Sequence, residues 1–164
     1  RCVCTLRPKN EGGKFSGKEN ERISILKLIS EYNPFLLDVE FNTLKKDQKL
    51  RQYLKKSNTD ILVSWHDFKK TPSIDRLNSR LTEMKKLSNF VKIVTVAKSV
   101  SDTSRILSLY NRSSKIKLIA FAMGEQAKFS RILCLHLGSP YTYVSLGKAI
   151  APGQFSLDDM KSLQ

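Results

Sequence analysis

A regular alternation of short, apolar, often β-branched runs with longer amphipathic stretches constrains this chain more than any other feature. Strand candidates are Cys2–Leu6, Phe35–Phe41, Asp60–Trp65, Phe90–Ala97, Ile116–Met123 and Tyr141–Ser145. Each has the length and continuous apolar character of a parallel strand buried on both faces. Helical periods lie between them, the clearest being Ser73–Leu87, with Ile74, Leu77, Leu81, Met84 and Leu87 on one face and charges opposite. Ser73, after Thr71-Pro72, is placed to N-cap that helix. Glu19–Tyr32, Thr43–Lys56, Ser101–Tyr110 and Gln126–Leu137 follow the same logic, and a last helix begins near Ser156. Asn33-Pro34 and Gly138-Ser139-Pro140 act as stops.

The 164 residues thus divide into six β-α units of about 27 residues each. Repeated units of this kind build a parallel α/β sheet with right-handed crossovers. Two architectures satisfy that rule, an open doubly wound sheet and a (β/α)8 barrel. Six units suit the open sheet, and a complete barrel needs about 200 residues or more. Periodicity leaves both open, and no glycine-rich phosphate loop favours a nucleotide-binding sheet. The chain opens at Arg1 inside a strand-like run, so we expect a piece of a longer protein.

Charge and cysteine content narrow the function classes. Lys and Arg number 29 against 15 acidic residues, a formal charge of +14. Such a balance suits phosphate contacts with nucleic acid. The lysines, however, scatter through Lys45–Lys56, Lys69–Lys70, Lys85–Lys86 and Lys115–Lys117 without interleaved aromatics. We therefore read them as solvated faces that also draw in small anions, and expect no nucleic-acid partner. Cys2, Cys4 and Cys134 form neither a disulfide framework nor a metal spacing with His66 and His136, which fits a reducing cytoplasm and no bound metal. No apolar run reaches the roughly 18 residues of a membrane span, and no signal-peptide pattern is present, so no membrane partner is expected.

Polar residues gather at the strand ends, where both architectures place their sites. Ser64-Trp65-His66-Asp67 follows the third strand candidate. A lone histidine there is more often structural, although its charge switches near neutral pH. Lys92 interrupts the buried run Val91–Val96, where an unpaired ammonium is costly. It either snorkels at the solvated start of the strand or is a desolvated lysine with a depressed pKa, the type that condenses with carbonyls. The strand alone leaves these two readings level.

Several short motifs, in order and spacing, resemble the type I 3-dehydroquinate dehydratase family. Ile61–Pro72 resembles its histidine signature and Val91-Lys92-Ile93 its Schiff-base lysine strand. Ser99–Asp102, then Met123 with Ser130-Arg131, then Ala151-Pro152-Gly153-Gln154 resemble the blocks that follow. Thr5-Leu6-Arg7 with Glu11-Gly12-Gly13 resembles the arginine and EGG element of the family's third strand. The resemblance spans nearly the whole chain and implies a (β/α)8 barrel, with about six of the eight β-α units here and two expected before Arg1. Open edges at the first and last strands are then expected to weaken the isolated chain.

The resemblance also implies a reaction, the dehydration of 3-dehydroquinate to 3-dehydroshikimate in the shikimate pathway, without a cofactor. Lys92 would form the Schiff base and His66 would act as general base and then acid. Glu11 and Asp38 would orient and tune His66, with Glu40 close to a plain barrel-mouth acid. Arg131 would bind the substrate carboxylate, with Arg7 a second substrate arginine, Gln154 on a closing loop and Met123 packed against the ring. Ile150 stands where many members carry serine, and the family's second-strand glutamate and arginine have no counterpart here. A homodimer is compatible with this reading. Competing readings are a different Schiff-base barrel such as an aldolase, a basic nucleic-acid-binding module and a non-catalytic barrel fragment.

Overall fold

In a computed structural model that describes residues 1–163, the strands β1 (Val3–Thr5), β2 (Leu36–Glu40), β3 (Ile61–Asp67), β4 (Phe90–Val96) and β5 (Lys117–Met123) form one parallel sheet. Their spatial order is β1-β2-β3-β4-β5, the same as their order in the chain. That order resolves the architecture. A doubly wound sheet reverses direction at a switch point, whereas right-handed crossovers that always advance one strand put every helix on the same side. The sheet is singly wound, the arrangement of a (β/α)8 barrel wall.

Strand alternation sorts the side chains accordingly. Leu37, Val39, Val63, Trp65, Val91, Ile93, Leu118 and Ala120 share the face that meets the helices, and all but the half-exposed Trp65 are buried. The helices that cover them are α1 (Glu19–Glu31), α2 (Phe41–Lys46), α3 (Gln48–Lys56), α4 (Ile74–Lys85), α5 (Val100–Leu107) and α6 (Ser130–His136), with α7 (Leu157–Ser162) ending the chain. Leu77, Leu81 and Met84 of α4 are buried as their spacing predicts. Arg80 of the same helix lies between the rings of Phe41 and Trp65, 4.9 Å from each. The inward face carries Asp38, Glu40, Ser64, His66 and Lys92 instead.

Three sequence expectations change. The helix expected over Thr43–Lys56 is two, because Asp47 leaves the helical region and its side chain caps α3 by accepting from the Leu50 N–H at 2.8 Å. Asp47→Ala is expected to lower stability by about 1 kcal/mol, read from denaturant unfolding. Second, β3 runs on through Asp67, so His66 lies within the strand and not after it. Third, Tyr141–Ser145 is not a strand, and only Ser145 makes an isolated bridge, to Ser156. The outer edge of β5 is already occupied. Tyr110 Oη accepts from the Ala120 N–H at 2.8 Å and donates to the Ala120 carbonyl at 3.1 Å. Ser130 Oγ accepts from the Ala122 N–H at 3.0 Å. With those backbone groups satisfied by side chains, the edge offers a sixth strand little to pair with.

Candidate active site

The inward-facing polar residues meet on one face of the sheet, with Asp38 and Lys92 deeper in their strands and Glu40 and His66 toward the C-terminal ends. In the β3/β4 register Ser64 lies beside Lys92 and His66 beside Val94, so lysine and histidine share one face of adjacent strands. Glu40 lies beside Ser64 in the β2/β3 register. Arg7, just past β1, ties the group together. Its Nη2 donates to Asp38 Oδ2 at 2.6 Å, and its Nη1 faces Ser64 Oγ at 2.9 Å, Glu40 Oε1 at 3.1 Å and His66 Nδ1 at 3.3 Å. Ser64 Oγ donates in turn to Asp38 Oδ1 at 2.5 Å.

Glu11 enters from the turn after β1. Its Oε2 lies 3.5 Å from His66 Nδ1 and has no hydrogen-bond partner, while its Oε1 accepts from Asn42 at 3.3 Å. Both glycines that follow it are required. Gly12 has a φ of 80°, and a Cβ there would strike the Phe68 ring that stacks on His66 at 5.9 Å. A Cβ on Gly13 would collide with the Arg7 carbonyl. The EGG turn therefore sets where Glu11, Arg7 and His66 meet.

Lys92 is 8% exposed, which removes the snorkelling alternative. Its Nζ lies 3.3 Å from Asp38 Oδ2 and 4.3 Å from the centroid of the Tyr143 ring. Burial lowers the lysine pKa, and the Arg7 and Arg131 cations add to that while Asp38 opposes it. Burial would raise Asp38, but Lys92 and Arg7 outweigh it and hold this carboxylate at about 2. Burial also brings His66 down to about 2, helped by the Lys92 and Arg7 charges, so the imidazole is neutral at physiological pH. The unperturbed value expected from the sequence therefore does not apply. Glu11 moves the other way, to about 7, through burial and the nearby Glu40.

Arg131 is 2% exposed and meets no carboxylate among the described residues. Its guanidinium stacks on Phe121 at 4.4 Å, one Nη donates weakly to the Pro152 carbonyl at 3.4 Å, and Nε has no partner. A buried guanidinium held this way is short of an anion. Burial lowers its pKa to about 10.

The site thus holds a buried amine, a neutral imidazole beside a carboxylate and a buried guanidinium that meets no carboxylate among the described residues. The family profile described as type I 3-dehydroquinase matches residues 1–163. The chain belongs to the type I 3-dehydroquinase family. It is 39% identical over 164 residues to the 3-dehydroquinate dehydratase of Methanococcus maripaludis strain C7, covering 98% of this chain and 74% of that protein. The crystal structure of 3-dehydroquinate dehydratase from Aquifex aeolicus VF5 superposes with a TM-score of 0.82 at 30% identity, over 98% of this chain and 71% of that one. The Geobacillus kaustophilus enzyme matches the fold with a TM-score of 0.87 at 24% identity, and this chain spans 65% of its length.

Within this dehydroquinase fold, the sequence-derived residues fall into two groups. Lys92, His66, Glu11, Arg7 and Asp38 come together directly, although Asp38 bonds Lys92, Arg7 and Ser64 and makes no hydrogen bond to His66. Met123 is buried at the end of β5. Gln154 is turned onto its own loop, where Oε1 accepts from the N–H groups of Ile150 at 2.9 Å and Ala151 at 3.3 Å. That loop docks on the end of β5, with the Gly153 N–H donating to Glu125 at 3.0 Å. Sequence reasoning missed Ser64 and Tyr143. Ser64 was discoverable, since it lies two residues before His66 on the same strand face. Nothing local to Tyr143 signals that its ring reaches Lys92. The site is also separate from an outer cleft of about 360 Å³ whose lining includes Glu11 and Asn42.

Proposed function

We propose that this chain dehydrates 3-dehydroquinate to 3-dehydroshikimate through a Schiff base on Lys92. The observation that carries this reading is the pairing of a buried Lys92 with a neutral His66 on one face of neighbouring strands. The Lys92 amine adds to the substrate ketone, and loss of the ketone oxygen as water leaves an iminium. The iminium acidifies the adjacent C–H, and neutral His66 takes that proton to give an enamine. The imidazolium then returns the proton to the departing hydroxyl, which leaves as water. Water finally releases product from Lys92, so one molecule of water is lost overall.

Burial beside Arg7 and Arg131 keeps Lys92 from holding its proton as firmly as a surface lysine. Arg131 supplies the charge-assisted contacts a substrate carboxylate needs. Arg7 and, after loop rearrangement, Gln154 contact substrate hydroxyls, and Met123 packs on the ring. Three free cysteines fit a reducing cytoplasm.

Glu11 assigns the roles of the two imidazole nitrogens. An ionised Glu11 accepts the Nδ1 proton of His66 and leaves Nε2 with a free lone pair, whereas Arg7 can only donate to Nδ1. With Glu11 at about 7, the active form accumulates as pH rises through that value. kcat/KM is therefore expected to fall on the acid side of pH about 7. Glu11→Gln, with nothing left to ionise, should lose this limb and about 100-fold in rate. A limb near 7 that persists unchanged in Glu11→Gln would assign it to another group. The primary test is formation of the conjugated enone product from 3-dehydroquinate, followed by ultraviolet absorbance. No product from folded chain would sink the reading.

A further inference from the structure

Arg22 lies on α1, outside the residues that the reaction uses, yet its side chain is wholly buried. All five of its N–H groups are engaged. Nη1 donates to Glu40 Oε2 at 2.6 Å and to the Leu6 carbonyl at 3.2 Å. Nη2 donates to Glu19 Oε1 at 2.7 Å and Thr43 Oγ1 at 2.5 Å, and Nε to Glu19 Oε2 at 2.9 Å. The other oxygen of Glu40 accepts from Arg7. One carboxylate thus joins a helix arginine to the arginine that faces His66.

The Arg7 Nη1 has two hydrogens and three acceptors within reach. Ser64 at 2.9 Å and Glu40 at 3.1 Å are nearer than His66 Nδ1 at 3.3 Å. While Glu40 is ionised, the two nearer acceptors take both hydrogens, and Nδ1 remains available to Glu11. If Glu40 ceases to compete, one hydrogen passes to Nδ1. The imidazole is then held with its proton on Nε2, which removes the lone pair that would take the substrate proton.

We propose that Arg22 is a positioning residue for the His66 base, holding Glu40 as the acceptor that draws Arg7 away from His66 Nδ1. The charges facing Glu40 are Arg7 and Arg22 against Asp38 and Glu11. Burial favours a protonated Glu40, and the two arginines oppose that. Without Arg22 one cation faces two other acids around a buried carboxyl, a setting in which Glu40 takes up a proton or turns away.

This inference rests on the Schiff-base dehydration reading, but its main readout needs no substrate. The chain has two histidines, so ¹⁵N-labelled imidazole spectra of the full chain report the His66 tautomer directly. Above pH about 7 the wild type is expected to carry the proton on Nδ1, and Arg22→Gln to carry it on Nε2. In the same variant kcat should fall about 10- to 100-fold while KM moves less than about 3-fold. Glu40→Met, which offers Arg7 no acceptor, should give the same switch, and the double variant should lose no more than either single, because both act through one hydrogen bond. A folded Arg22→Gln with the wild-type tautomer and kcat overturns the proposal, as do losses that multiply in the double variant. Should Arg22→Gln not fold, Glu40→Met carries the tautomer test alone, and a wild-type tautomer there overturns it equally. A wild type without turnover sinks the dehydration reading, leaving the tautomers to decide this one.

Discussion

Lys92→Ala is expected to abolish the adduct that borohydride traps with 3-dehydroquinate and to lower kcat by about 10⁵- to 10⁶-fold, the scale of losing a covalent nucleophile. The wild-type adduct should map by mass spectrometry to the peptide containing Lys92. The expectation is specific because every other lysine is exposed or half-buried, whereas Lys92 is buried, with its pKa lowered by burial and by the arginines around it. A lysine that keeps its proton less firmly supplies more free amine at neutral pH. Alanine leaves Asp38 paired with Arg7 at 2.6 Å, so the buried carboxylate keeps a cation and the variant should fold. An adduct on another lysine, or turnover that survives the substitution, would remove the Schiff base from the mechanism. Loss of adduct together with loss of the cooperative unfolding transition would instead report a folding defect, and Lys92→Met, closer in volume, would then repeat the test.

His66→Ala should separate the two halves of the reaction. In the proposed mechanism Schiff-base formation belongs to Lys92, so borohydride should still trap an adduct, and that adduct should persist longer than in the wild type. The same mechanism gives proton abstraction to His66, so turnover should fall by about 10²- to 10⁴-fold, the usual span for a positioned acid-base group. The structural basis is that His66 is neutral and stacked on Phe68 with Glu11 at its Nδ1, and no other histidine shares this face. A variant that neither traps an adduct nor turns over would place His66 in iminium formation as well. Undiminished turnover would pass the role to another base, with Glu11 next in line.

How much of this could be read from the chain follows from where each signal is stored. Strand and helix periods are local, so α1, α4, β2, β4 and β5 lie within a residue or two of their expected bounds. Asp47 shows the limit of periodicity, because one residue that caps its own C-terminal neighbours splits an amphipathic pattern without disturbing it. The motifs around His66, Lys92 and Arg131 named the family, since residue type and spacing survive in one dimension. They also marked Glu11, whose glycines follow it directly.

Contacts between separated segments were decided only in the folded chain. The strand order that makes the sheet singly wound depends on which edges pair. Tyr110 and Ser130 occupy the edge of β5 that Tyr141–Ser145 would have needed, from positions up to ten residues away along the chain. Whether Lys92 was a snorkelling or a buried lysine turned on the side chains of β2 and the Tyr143 ring closing over it. Nothing in the sequence marks Arg22, which meets Glu40, 18 residues on, only inside the protein. The sequence by itself determined most of the elements, the family and the residues proposed to react. The tertiary structure decided the pairing of charges and hence the protonation of His66, Lys92 and Glu11, because desolvation and Coulomb terms depend on distances in space.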